Sequence, residues 1–498
     1  MEQYDVCVIG GGPAGYAAAM RAIDYKKKVV LIEKSKVGGT GIYNGALSSK
    51  TLWEISEKLY DINETIASKN REKFELPWSD VIQTMKEAIF DRKIQYSAHI
   101  TLLQEESKDH NLFAYERGSA KMLNSNEVEI TNKRGEVKVI KADNIIIATG
   151  SRPRTIPTIA VDHKTIMTSD SIESIEDYPK SLVILGAGVI GCEYATIFSN
   201  FGKTKVYMID KAHKILPFED DDIASMVAQN LRNKDVTIHH DADLVRMEVI
   251  DGEVEYEIKY STGKSEIIRV EKALLSIGRI PNVENIGMEA TGVKMSARGR
   301  HIGDIDTQTN IPNIYAVGDA SGRIALVNMG ELEGRHAVEK IVNQNCPPLS
   351  YKNVSTIMFL HPEVATVGLN EKMALEQNIP VKIVKLDYSL IARAIAKRKT
   401  QGFFKIIVTD DDEMKILGMR AIGAHASSAI QGVALLMQMN ESITQLAELV
   451  HPHPSIIEGI QECVRMLLNK SVFKSAVFQD GLKCYRLCDG EKIPLQRL

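Results

Sequence analysis

The sequence predicts an α/β chain built on two doubly wound, Rossmann-like dinucleotide-binding domains. Three observations predict it. A complete G-x-G-x-x-G run stands at Gly10, Gly12 and Gly15, framed by strand and helix patterns. A second stands 176 residues further on, at Gly186, Gly188 and Gly191. Each is followed by an acid closing the next apolar strand, Glu33 and Asp210. A chain of 498 residues exceeds what one hydrophobic core organises, and about three domains are expected.

In "YDVCVIGGGPAGYAAAMRAIDYKKKVVLIEKS" an apolar strand, Val6 to Ile9, runs into the glycine turn, then an Ala-rich helix, then a strand ending at Glu33. Gly10 allows the tight turn, Gly12 lets a pyrophosphate approach the backbone, and Gly15 lets helix and strand pack closely. The phosphates are favoured at the positive helix N-terminus. Glu33 lies eighteen residues beyond Gly15, placed to bind a ribose hydroxyl. "SLVILGAGVIGCEYATIFSNFGKTKVYMIDKAHK" repeats the pattern. Two such units imply two dinucleotides, and chains of this kind pass hydride from a nicotinamide to a flavin. The alternative, two degenerate folds kept as scaffolds, leaves both complete glycine sets unexplained. The carboxylate of Asp210 accepts from a 2'-hydroxyl and repels a 2'-phosphate, which favours NAD over NADP, while Lys211 and Lys214 soften that repulsion.

Residues 56–108 are polar with a helical period and read as a long helical excursion from the first domain. Hydrophobic content of 44% and charged content of 25% are those of an ordinary globular protein. The net charge of -4 carries no basic field for nucleic acid, and no apolar run is long enough for a membrane span. The start enters a strand within four residues, so no targeting peptide is expected. Six scattered cysteines do not make a secreted disulfide scaffold, and a cytoplasmic setting is expected.

With "GGTGIYNGALSSK" (38–50) between the two units, the chain resembles the pyridine nucleotide-disulfide oxidoreductases, in its dihydrolipoamide dehydrogenase and soluble transhydrogenase branches. Further motifs carry the resemblance: "IIIATGSRP" (145–153), "SIGRIPN" (276–282), "NIYAVGDAS" (313–321), "HPEVATVG" (361–368) and "HPHPSIIE" (451–458). It implies a glutathione reductase-like fold with an α+β C-terminal dimerisation domain, and FAD and NAD as cofactors. The implied boundaries are a discontinuous FAD domain (1–155 and 283–349), an NAD(P) domain (156–282), a dimerisation domain (350–470) and an extension (471–498). Gly39, Thr40, Thr149, Gly150, Gly278, Gly318 and Asp319 fall in motifs that hold the cofactors, with Asp319 on the ribityl chain. Lys50 matches the lysine at flavin N5 and Glu193 its carboxylate partner. His453 and Glu458 match a proton-shuttling dyad that enters from the other subunit, so a homodimer is implied; here the dyad either protonates a reduced acceptor or survives as an interface contact.

The departure lies at the family's cysteine pair, whose two positions read Gly41 and Ala46. A missing sulfur is not restored by any pKa shift, so thiolate and mixed-disulfide chemistry are not expected there. The expected activity is an FAD-dependent NAD(P)H oxidoreductase passing hydride on to a small-molecule, non-disulfide acceptor, as a quinone reductase, diaphorase or transhydrogenase. A catalytically silent FAD- and NADH-binding sensor or structural subunit is the alternative. A lesser one is dithiol chemistry through Cys484 and Cys488 in "LKCYRLC", which otherwise reads as a strand of a structural hairpin.

Overall fold

The computed structural model describes residues 1–67, 69, 72–107, 111–297, 299 and 301–495. Its chain groups into two compact units, 1–185 with 245–257 and 267–349, and 186–244 with 258–266 and 350–498. The three-domain boundaries expected from sequence stand as a proposal beside this division.

The first unit is organised by a six-stranded sheet. Glu2–Ile9 lies between Val29–Glu33 and Val137–Ile147, parallel to both. Its side chains alternate as a strand's must. Val6 and Val8 join Ala14, Ala18 and Ala22 of the helix Pro13–Asp24 in one core, while Cys7 and Ile9 join Ile145 and Ile147 in another. Small residues let that helix meet the helix Val327–Val342 closely: a Cβ on Gly334 would lie 2.1 Å from the carbonyl oxygen of Ala14. The helical excursion forms as two long helices, Ala46–Ala67 and Trp78–Glu106; residues 68, 70, 71 and 108 of it lie outside the described residues. An antiparallel ribbon pairs Ser151–Pro153 with Arg279–Pro281.

The second unit carries the parallel pair Lys205–Ile209 and Thr237–His239, with the helix Val189–Phe201 following the second glycine turn. It also holds an antiparallel sheet of seven strands, in the order Thr356–Met358, Val364–Gly368, Ile416–Ile422, Phe403–Thr409, Val381–Asp387, Leu482–Cys488, Glu491–Pro494. The helices Ala426–Gln438 and Glu458–Leu467 bury Ile430, Val433, Ile460 and Val464 in a core with Phe404, Ile406 and Met419 of that sheet. "LKCYRLC" is a strand, as expected, paired along Val381–Leu386. Residues 496–498 of the extension lie outside the described residues.

Within this unit Lys405, with no exposed side-chain surface, is held by Asp222 at 2.7 Å, Glu371 at 2.6 Å and Asp220 at 3.1 Å. Glu371 also accepts from Tyr485 at 2.8 Å and pairs with Lys492 at 2.7 Å, both in the C-terminal extension.

Candidate active site

The two glycine turns fold alike. Gly10 has φ +109° and donates to the carbonyl of Ile32 at 2.8 Å; Gly186 has φ +101° and donates to Ile209 at 2.8 Å. In each, the acid ending the next strand accepts from the residue after the first glycine: Glu33 from Gly11 at 2.7 Å and Asp210 from Ala187 at 2.6 Å. A Cβ on Gly15 would lie 1.9 Å from the Gly10 carbonyl oxygen, so that position takes no side chain.

Both turns fit a dinucleotide. A Cβ at Gly12 or Gly188 would meet nothing within 4 Å, and neither helix start is capped by a side chain. Each therefore offers free backbone N–H groups and open space to a pyrophosphate. In the first unit Thr149 Oγ1 is buried without a hydrogen-bond partner among the described residues, beside Gly150, which faces open space at φ +67°. In the second unit Lys211 pairs with Asp243 at 2.7 Å and Lys214 pairs with Asp221.

The first unit gathers its motifs at one place. Gly38 donates to the Gly11 carbonyl at 2.7 Å, and a Cβ on Gly39 would lie 3.2 Å from Gly12 Cα, with Thr40 next in the same turn. The turn Gly318–Ala320 abuts the same helix, a Cβ on Gly318 lying 3.0 Å from Ala14 Cβ. Asp319 in that turn accepts from the hydroxyl of Ser151, while Gly278 faces open space at φ +102°.

Beside this junction is a cavity of about 500 Å³ with Pro13, Gly41, Ile42, Ala46, Leu47 and Val327 on its apolar side. Lys50, Glu331 and the face Asp91, Arg92, Gln95 and Tyr96 of the helix Trp78–Glu106 supply its polar groups. Lys50 lies half-buried, with Nζ 3.3 Å from Ser49 Oγ. Arg92 is steadied by Gln95 at 2.8 Å and lies 4.9 Å over the Tyr96 ring. Gly41 and Ala46 thus bring backbone and a methyl to the cavity wall. The contribution of the long helix was not legible, because its polar face reads as solvated.

In the second unit, at the start of the helix after the second glycine turn, Gly191 is followed by Glu193, 5% exposed, whose Oε1 accepts from Phe359 N at 3.1 Å. His453 Nδ1 lies 2.7 Å from Glu458 Oε1, and Oε2 accepts from Ser455 N at 2.8 Å. Burial raises the Glu458 carboxyl, but the Ser455 N–H and His453 outweigh it and hold it below the ordinary value. The pairing expected of the dyad is therefore formed.

The thiols are quiet. Burial pushes Cys192 up, assisted by Asp210 and Glu193, and the hydrogen bond to Asp489 raises Cys488. Cys484 and Cys488 sit four residues apart on one extended strand, about 13 Å, too far to bridge. The dithiol alternative is corrected on this geometry.

A family model described as pyridine nucleotide-disulphide oxidoreductase matches residues 4–334, and one for that family's dimerisation domain matches residues 354–464. The chain belongs to the pyridine nucleotide-disulphide oxidoreductase family. Dihydrolipoyl dehydrogenase of Bacillus subtilis is 32% identical over 483 residues, 94% of this chain and 99% of that one. The same-named enzyme of Chlamydia trachomatis is 32% identical over 460 residues, 92% and 95% of the two chains. Among solved structures, LpdA of Mycobacterium tuberculosis superposes with a TM-score of 0.84 at 22% identity, over 94% of this chain and all of that one. The Cu(II) complex of the HOCl-induced flavoprotein disulfide reductase RclA of Escherichia coli does so with 0.83 at 25%, over the same shares. Family membership bears out the α/β fold of glutathione reductase type, the C-terminal dimerisation domain, and the class of enzyme: an FAD-dependent NAD(P)H oxidoreductase using FAD and NAD. The matched dimerisation domain supports a homodimer, and no helix among the described residues is long and apolar enough to cross a membrane.

Proposed function

We propose that this member of the family passes reducing equivalents from NADH, by way of FAD, to a small non-disulfide acceptor, a flat quinone being the best fit. The observation that carries this reading is the cavity of about 500 Å³, whose wall at Gly41 and Ala46 offers no thiol and leaves room for a ring. A bound flavin supplies the two-electron chemistry.

The chain's own residues have separate tasks. Gly10, Gly12, Gly15 and Glu33 hold the FAD end, and Gly186, Gly188, Gly191 and Asp210 the NAD end, each on an uncapped helix start. Thr149 supplies a buried hydroxyl seeking a partner, and Asp319 an acceptor for the ribityl hydroxyls. Lys50 brings a positive charge to the cavity wall, and Glu193, buried after the second glycine turn, is proposed as a carboxylate serving the NAD end. His453, with its tautomer set by Glu458, delivers a proton to a reduced acceptor. Transfer to NADP, as in a transhydrogenase, is the second acceptor chemistry to assay.

The test is an anaerobic titration with NADH, following flavin absorbance. Bleaching near one equivalent is expected, with reoxidation by naphthoquinones. Absence of bleaching with flavin bound and NADH saturating overturns the reading in favour of a cofactor-holding sensor.

A further inference from the structure

Within the first unit, Ser151 and Arg279 stand on facing strands of the two-stranded ribbon. Arg279 donates from Nε to Ser151 Oγ at 2.8 Å and from Nη2 to the Ser151 carbonyl at 2.8 Å, so one guanidinium grips one serine twice. A guanidinium has donors only. The Ser151 hydroxyl must therefore accept from Arg279, which leaves its single proton to donate, and that proton is directed at Asp319 Oδ2. The other carboxylate oxygen of Asp319 makes no hydrogen bond among the described residues. Asp319 sits on a turn whose backbone is fixed from elsewhere, Gly318 N donating to the buried Glu333 at 2.6 Å. What the turn leaves undetermined is the carboxylate's rotation.

We propose that Arg279 is a positioning residue that, through the Ser151 hydroxyl, holds the Asp319 carboxylate turned so that its free oxygen accepts from the polyol hydroxyls of the FAD seated at Gly10–Gly15. This rests on the proposed role of Asp319. Arg279 is 18% exposed and its guanidinium also lies 3.9 Å from Asp319 and 3.9 Å from Asp170, so it is the cation between two acids. Burial raises the Asp170 carboxyl, and Arg279 opposes that rise. Without Arg279, the Ser151 hydroxyl is free to rotate and Asp319 loses both its direction and its nearest positive charge.

The experiment strips FAD from the full-length protein and measures rebinding of FAD, and separately of ADP, which fills only the end at Gly10–Gly15. D319N, S151A, R279M and S151A/R279M are compared with wild type. D319N, S151A and R279M are each expected to weaken FAD by about tenfold, the size of one charge-assisted hydrogen bond. ADP binding is expected to stay unchanged. Because the two residues form one relay, the double variant should be no weaker than the worse single variant. Unchanged FAD affinity in D319N refutes the role of Asp319. A loss in D319N without one in S151A and R279M overturns the relay alone, as does an additive loss in the double variant. An equal loss of ADP and FAD overturns positioning in favour of general support of the fold.

Discussion

Asp210 accepts the backbone N–H of Ala187 through Oδ2 at 2.6 Å and that of Ala212 through Oδ1 at 2.8 Å. The carboxylate is thereby fixed in orientation at the mouth of the second glycine turn, and the neighbouring lysines pair with Asp243 and Asp221. A 2'-phosphate would meet this charge without a free cation beside it. NADH should therefore exceed NADPH in kcat/KM. D210N should lower the NADH value by about tenfold, one charged hydrogen bond, and narrow the preference. K211A should leave the ratio unchanged. Steady-state rates with both nucleotides check this.

Lys50 and the cavity it lines give the second prediction. K50M should slow reduction of the flavin by NADH by roughly 100-fold, the size expected when a preorganised charge is removed, while FAD remains bound. Stopped-flow absorbance reads it. An unchanged rate removes Lys50 from the mechanism.

The wall positions 41 and 46 differ in what they tolerate. A Cβ on Gly41 would lie 2.7 Å from Pro13 Cγ, whereas position 46 already carries a side chain. A46C alone should therefore fold normally and give a long-wavelength thiolate–flavin absorbance when its thiol ionises. G41C should lower Tm. Absence of the band in A46C with FAD bound places residue 46 away from the flavin and refutes the proposed register.

Much of the fold was legible because its signals are local. Glycines at fixed spacing, an alternating strand and an acid at its end specify each dinucleotide unit within some thirty residues. The Arg279–Ser151–Asp319 chain was not legible, although "SIGRIPN", "IIIATGSRP" and "NIYAVGDAS" contain all three residues. Its partners are brought together only by the ribbon and the turn, and the eye falls on the glycines. Lys405 gave one unused signal, a lysine inside the apolar run "GFFKIIV", which had to find buried acids. The polar wall of the cavity gave none, since a helix with a mixed face declares nothing about what it borders.

That buried lysine gives the fourth prediction. K405M leaves Asp220, Asp222 and Glu371 without their shared cation and should cost about 3–5 kcal/mol. Burial raises the Asp222 and Glu371 carboxyls, but Lys405, joined by Lys385 at Asp222 and by Lys492 and Tyr485 at Glu371, outweighs it and holds both below the ordinary range. Their folded-state values being depressed, the network's contribution is complete above about pH 4.5 and is lost as pH falls through the lowered values. The gap between wild type and K405M in urea midpoint should be wide from pH 7 down to about pH 4.5 and shrink as pH falls below about 4.

The strand Leu482–Cys488 lies inside the seven-stranded sheet, with Val381–Asp387 on one side and Glu491–Pro494 on the other. During synthesis the strand Val381–Asp387 must therefore wait, with one edge unpaired, until about a hundred further residues have been made. A ribosome that stalls before codon 482 releases a chain with an open sheet edge, and with Glu371 deprived of Tyr485 and Lys492. That sheet is thus closed only after the strands Leu482–Cys488 and Glu491–Pro494 have been made.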